Sequence, residues 1–245
     1  MDNELIRLRD QFSCLGIKAE FEAEGSSYKD LVRLRRATDK VGLPLFVKIG
    51  GVEALRDTRE CYELGVDGII APMVESVFGA KKFIDMVRSV FKDTKVHKTL
   101  NIETKTAIEH YHSILQFSQF DVDSITFGRT DLSNSYMQGK KPDDVLGTVM
   151  HEAAHTSKNG MLANVGGSIT QTTLDTMKTD KRWYKFLHKI ETRKVMLPTE
   201  IMLDKAGALD ACLSFESAYI EDKQHISDSL MEAEITRLKR LKERL

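Results

Sequence analysis

Two carboxylates are placed to do chemistry. Glu103 ends the apolar run Thr99-Leu-Asn-Ile-Glu103, and Asp131 lies in Phe127-Gly-Arg-Thr-Asp-Leu-Ser133, so each closes a strand-like segment just before a turn. If those strands are parallel neighbours, they run about 4.8 Å apart and both acids emerge at one edge of the sheet. Mg²⁺ is held by one or two carboxylates, with water and substrate oxygens completing its octahedron. With no cysteine close in sequence, the pair suits Mg²⁺ or Mn²⁺ better than zinc.

The alternation of residues along the strands adds to this. In Ile17-Lys-Ala-Glu-Phe-Glu-Ala-Glu24, Ile17, Ala19, Phe21 and Ala23 share one face, and Lys18, Glu20, Glu22 and Glu24 the other. Lys48 alternates against Leu45, Val47 and Ile49; His97, Asn101 and Glu103 share a second parity set; Lys189, Glu191 and Arg193 share a third. A barrel strand packs its apolar face under helices, so the charged faces point inward, where unpaired charge is costly. A paired interior network rising toward an active site is expected, with Glu20 and Lys189 as its deeper, structural members.

The elements that must position these groups alternate along the chain. Strand-like segments at 15–23, 43–49, 67–73, 95–103, 124–129, 160–166 and 186–196 are separated by amphipathic stretches at 28–40, 52–64, 77–91, 107–117, 143–158 and 170–179. Such alternation predicts parallel βαβ units and an α/β fold, a TIM (β/α)8-type barrel with a C-terminal helical extension. An eighth strand must be short, hidden near the N-terminus, or absent. The barrel is assigned to 1–198. The remainder, 199–245, reads as helix with a break near Tyr219 to His225, and its stripe Met231, Ile235, Leu238, Leu241 and Leu245 predicts a docking or subunit-contact helix.

A chain of 245 residues, 41% hydrophobic and 30% charged, suits one such barrel. The net charge of -1 makes no case for nucleic acid or membrane, so small molecules and other subunits are the expected partners. Cys14, Cys61 and Cys212 show no C-x-x-C spacing and are expected to be reduced and structural, in a cytoplasmic protein. The N-terminal segment has no long apolar core and no apolar run approaches 18 residues, so neither signal-directed export nor membrane spanning is expected.

Three motifs in order, Gly65-Val-Asp-Gly-Ile-Ile-Ala-Pro-Met-Val-Glu-Ser76, Ile102-Glu-Thr104 and Phe127-Gly-Arg-Thr-Asp-Leu-Ser133, together resemble the citrate lyase β-subunit and 2-keto-3-deoxy-acid aldolase family. The resemblance runs from about 44 to 135 and more weakly to 196. It implies a TIM barrel of the pyruvate and phosphoenolpyruvate superfamily, often oligomeric, that makes or breaks a carbon–carbon bond next to a 2-oxo acid through a metal-stabilised enolate. It makes Glu103 and Asp131 the metal ligands and the Gly128, Arg129 and Thr130 backbone a cradle for the substrate carboxylate. A homo-oligomer is expected.

Lys48 falls where that family usually has an arginine that stabilises the enolate oxygen, and the two are not interchangeable at a bidentate site. Where the family's aldolases carry a histidine after an acidic residue, this chain has Glu22, Ala23 and Glu24. Glu22, near Lys18 and Lys48, becomes the candidate acid/base. Two other readings stay open: a phosphate-sugar enzyme using Gly166-Gly167 after a late strand, and a non-catalytic barrel that keeps the metal site. His151-Glu-Ala-Ala-His155 matches the H-E-x-x-H zinc pattern, with Glu191 as the candidate third ligand. Its position between two barrel strands predicts an ordinary outer helix that binds no metal.

Overall fold

The computed structural model describes residues 1–242, apart from the side chains at 230, 233 and 238–241. Eight strands close into a barrel in chain order. They are β1 (Gly16–Glu20), β2 (Leu45–Lys48), β3 (Gly68–Ala71), β4 (His97–Ile102), β5 (Ser124–Gly128), β6 (Leu162–Gly166), β7 (Lys189–Glu191) and β8 (Val195–Pro198). Helix α1 (Asp2–Phe12) precedes β1, and α2 (Tyr28–Val41), α3 (Leu55–Leu64) and α4 (Val77–Phe91) follow the first three strands. Next come α5 (Lys105–Glu109) and α6 (Tyr111–Ser118) after β4, then α7 (Arg129–Ser135) and α8 (Leu146–Lys158) after β5. The last are α9 (Gln171–Lys178) and α10 (Arg182–Phe186) after β6, and α11 (Thr199–Asp204) and α12 (Ala208–Lys242) after β8.

Local chemistry sets the helix ends. The Ser27 hydroxyl accepts from Asp30 N while the Asp30 carboxylate accepts from Ser27 N, a reciprocal cap that starts α2. Ser76 and Thr104 cap α4 and α5 in the simpler way. Both of the latter caps sit at the carboxyl ends of strands, so they also fix the loops around the barrel mouth.

β1 through β7 are parallel, but β8 runs antiparallel to both β7 and β1. The segment expected as one strand, 186–196, therefore ends a first strand and begins a second. Thr192-Arg193-Lys194 turns the chain without a glycine or proline to mark the reversal, which is why the eighth strand was hidden in the pattern. The tip of this hairpin stands at the carboxyl rim.

The break expected near Tyr219 to His225 is absent: α12 is continuous there, its charged residues being good helix formers. The interruption lies earlier, between α11 and α12, where Gly207 takes φ +77°. Along α12, Phe215 and Tyr219 are buried, whereas Ile220, Met231 and Ile235 are exposed. The side chains of Leu238 and Leu241 and all of Leu245, the rest of the expected stripe, lie outside the described residues. No helix among the described residues is long and apolar enough to cross a membrane.

The floor of the barrel is made by Phe46. Its ring fills the space that a Cβ on Gly68 (2.0 Å away) or Gly16 (2.8 Å) would need. His97 meets the ring edge-on at 5.5 Å, and Lys189 Nζ lies 4.8 Å from its centroid. Ile70 and Met196 pack against it, and above this plug the interior is mostly polar.

Candidate active site

Above the floor the inward faces carry the charges that strand parity assigned there. Glu191 is enclosed by Lys18 Nζ at 2.9 Å, Lys189 Nζ at 3.4 Å and Thr126 Oγ1 at 3.3 Å. Burial alone would raise its pKa, but Lys18 and Lys189 outweigh this and hold it at about 2. This lower layer is satisfied internally and supports the mouth above it.

At the mouth, a cavity of about 360 Å³ is lined by Glu22, Lys48, Asn101, Glu103, Gly128, Thr130 and Asp131 among others. β4 and β5 are parallel neighbours with Ile102 opposite Phe127, which brings the Glu103 and Asp131 segments to the same rim. Asp131 is in the first turn of α7 rather than on the strand, which ends at Gly128.

Glu103 is buried, accepts from Met73 N at 3.0 Å and from Asn101 Nδ2 at 3.1 Å, and is pushed above the ordinary carboxyl range by burial. Lys48 and the Met73 N–H pull it back in part, and the charge of Asp131 raises it further. Met73 takes φ +51°, a conformation costly for a side-chain-bearing residue, at the point where its N–H meets Glu103.

Lys48 Nζ lies 2.7 Å from Glu22 and 4.0 Å from Glu20. Burial lowers its pKa, but Glu103, Glu20 and Glu22 together leave it above the usual lysine value, so it is an ammonium at neutral pH. The hairpin tip closes one side: Arg193 reaches Glu20 Oε2 at 3.1 Å and Lys194 is paired with Glu24. Leu213 and Glu216 of α12 also line the cavity, and no periodicity in the sequence pointed to them.

Gly128, Arg129 and Thr130 divide in their roles. Gly128 and Thr130 face the cavity, with Thr130 Oγ1 2.9 Å from Ser168 Oγ. The Arg129 side chain is fully buried and leaves the cavity to others. It pairs with Asp143 at 2.6 Å and donates to Gly167 O at 2.6 Å and Ser168 O at 3.0 Å. Gly167 itself packs so tightly on α7 that a Cβ would stand 2.6 Å from Thr130 N. A packing requirement thus accounts for that glycine.

His151 and His155 lie on α8, outside the barrel, whereas Glu191 is sealed inside it. These three groups do not assemble into a zinc peptidase site. Cys14, Cys61 and Cys212 are free and buried, and burial raises each thiol pKa, that of Cys14 to about 11.

No protein-family profile matches the chain. No characterised protein matches it by sequence. Solved structures do match by fold. An HpcH/HpaI aldolase/citrate lyase family protein from Burkholderia cenocepacia J2315 aligns over 78% of this chain and 83% of its own, with a TM-score of 0.63 and 14% identity. The HpcH/HpaI aldolase from Desulfitobacterium hafniense DCB-2 aligns over 90% and 89%, with a TM-score of 0.63 and 15% identity. Citrate synthase SbnG aligns over 91% and 89%, with a TM-score of 0.61 and 16% identity. At these identities the likeness is one of architecture, and the architecture is that of the HpcH/HpaI aldolase/citrate lyase barrels.

Proposed function

We propose that the protein is a divalent-metal-dependent carbon–carbon lyase or aldolase acting on a 2-oxo acid. The observation that carries this reading is the meeting of Glu103, Asp131 and Lys48 around one cavity, in a barrel whose fold is shared with aldolases. The donors suit a hard cation, since each is an oxygen. The buried Asn101 Oδ1, which has no hydrogen-bond partner among the described residues, adds another beside Glu103. Bound by Glu103 and Asp131, Mg²⁺ or Mn²⁺ would supply Lewis-acid polarisation of the 2-oxo carbonyl.

The protein's own groups account for the remaining steps. The Gly128, Arg129 and Thr130 backbone, with the Thr130 hydroxyl, receives the substrate carboxylate. Glu22, ion-paired with Lys48, takes the hydroxyl proton of an aldol substrate as the carbon–carbon bond breaks. The bonding pair passes into the 2-oxo acid fragment as an enolate, and the Lys48 ammonium faces the developing charge. Glu22 then returns this proton to the enolate carbon, which completes the cleavage and restores the carboxylate.

The test is exchange of the pyruvate methyl protons for deuterium, followed by NMR. Mg²⁺-dependent exchange is expected, with Lys48→Met slowing it by about a hundredfold while metal binding is retained. Metal binding without exchange on pyruvate or oxaloacetate would favour a barrel that kept the site and lost the chemistry. A phosphate-sugar enzyme is the second reading, because Gly166, Gly167 and Ser168 line the same cavity. It leaves the acidic pair without a use. The exposed Ile220, Met231 and Ile235 of α12 support a homo-oligomer in which a second copy covers that face.

A further inference from the structure

On the outer wall of the barrel, α6 and α8 lie side by side. The Tyr111 hydroxyl joins them, bonded to Thr156 Oγ1 and donating to Glu152 O at 3.4 Å. At this seam His112 of α6 and Glu152 and His155 of α8 present ligand atoms that all lie within 4.8 Å of one another.

Glu152 is the unusual member. It is only 7% exposed, and its Oε2 is buried without a hydrogen-bond partner among the described residues. The His112 Nε2 it faces is 3.8 Å away, beyond hydrogen-bonding reach. Buried carboxylate oxygens are ordinarily paired, and one left open toward two imidazoles is arranged as a ligand is.

We propose that His112, Glu152 and His155 bind a divalent transition metal, zinc, in a site separate from the barrel cavity that ties α6 to α8. Two imidazoles and a carboxylate are a zinc donor set, with water completing the tetrahedron. Zinc bonds of about 2.0–2.1 Å place ligands about 3.3 Å apart, so the site closes by a small contraction. The exposed side chain of His112 is free to make that movement.

The H-E-x-x-H segment is used here in a different way from a peptidase. Glu152 serves as a ligand instead of a base, and His112 takes the place of His151. The His151 ring, 4.7 Å from that of His155, stays outside the coordination sphere. Imidazole ligands direct zinc to the helices, while the all-oxygen pair in the barrel selects Mg²⁺ or Mn²⁺.

The full-length protein, stripped with a chelator, is titrated with Co²⁺ and then Zn²⁺ while the visible ligand-field bands of tetrahedral Co²⁺ are followed. One equivalent is expected to give those bands and to be displaced by zinc, with an upward shift in Tm. Removing an outer-shell partner of a metal typically weakens binding 10–100-fold, so losing a ligand in His112→Ala or Glu152→Gln should weaken it by about 100-fold or more. His112 is exposed, and circular dichroism should show that its variant folds. His151→Ala and Asp131→Asn should retain both the bands and the affinity. Zinc bound only at millimolar concentration, binding unchanged in His112→Ala, or binding lost in Asp131→Asn would each overturn the proposal.

Discussion

The Glu103 carboxylate occupies the space that a side chain on Gly128 would need. A Cβ on Gly128 would stand 2.5 Å from Glu103 Oε2 and 2.9 Å from its Cβ. The second contact is with an atom that no rotamer change can move away, so the glycine that ends β5 sets the position of the acid that follows β4. Gly128→Ala is expected to destabilise the protein by about 1–3 kcal/mol through overpacking. It should also weaken Mn²⁺ binding at least tenfold. Thermal unfolding and a metal titration measure the two effects, and unchanged metal affinity would show that Glu103 is not held by this contact.

Arg129 ties the end of β6 to the start of α7. Its guanidinium binds Asp143 and the carbonyls of Gly167 and Ser168 at once, a fork that an ammonium cannot reproduce. Arg129→Lys is therefore expected to cost about 2–4 kcal/mol in urea unfolding, because it leaves buried acceptors unpaired. A cost below about 0.5 kcal/mol would mean that the loop is held by backbone packing alone.

Glu191 gives the barrel a specific acid sensitivity. Its pKa is lowered on folding from 4.5 to about 2. Its stabilisation is thus fully present above about pH 4.5 and lost as the pH falls toward 2. The difference is worth about 3 kcal/mol. Glu191→Gln should abolish that acid transition while lowering stability at neutral pH by about 3–5 kcal/mol, since Lys18 and Lys189 are then buried without their counter-charge. Urea midpoints between pH 2 and 7 for both proteins test this, and parallel pH profiles would contradict it.

Much of the site could be read from the sequence because barrel strands alternate with period 2. Lys18, Glu20, Lys48, Asn101, Glu103 and Glu191 all face inward, as their parity requires. The reversal of β8 was not readable, since Thr192-Arg193-Lys194 carries none of the usual turn residues and the apolar pattern continues through it. The role of the Arg129 side chain was hidden for a different reason: Asp143 and Gly167 lie far along the chain, and only the closed barrel brings them to it. For His112 the partners are about 40 residues away on a neighbouring helix, while the local H-E-x-x-H spacing pairs His155 with His151. Long-range packing against outer helices has no signature in a single strand or helix period.

In the proposed function, Glu103 and Asp131 hold one divalent ion that a 2-oxo acid then contacts. Water-proton relaxation of the Mn²⁺-loaded protein tests both parts together, because bound Mn²⁺ with exchangeable water strongly enhances relaxation. Wild-type protein and His155→Ala are expected to bind Mn²⁺ alike, with the enhancement falling when pyruvate replaces bound water. Asp131→Asn and Glu103→Gln should lose the binding. Mn²⁺ retained undiminished in both barrel variants, or an enhancement that pyruvate leaves unchanged in the wild-type protein, would contradict this metal site.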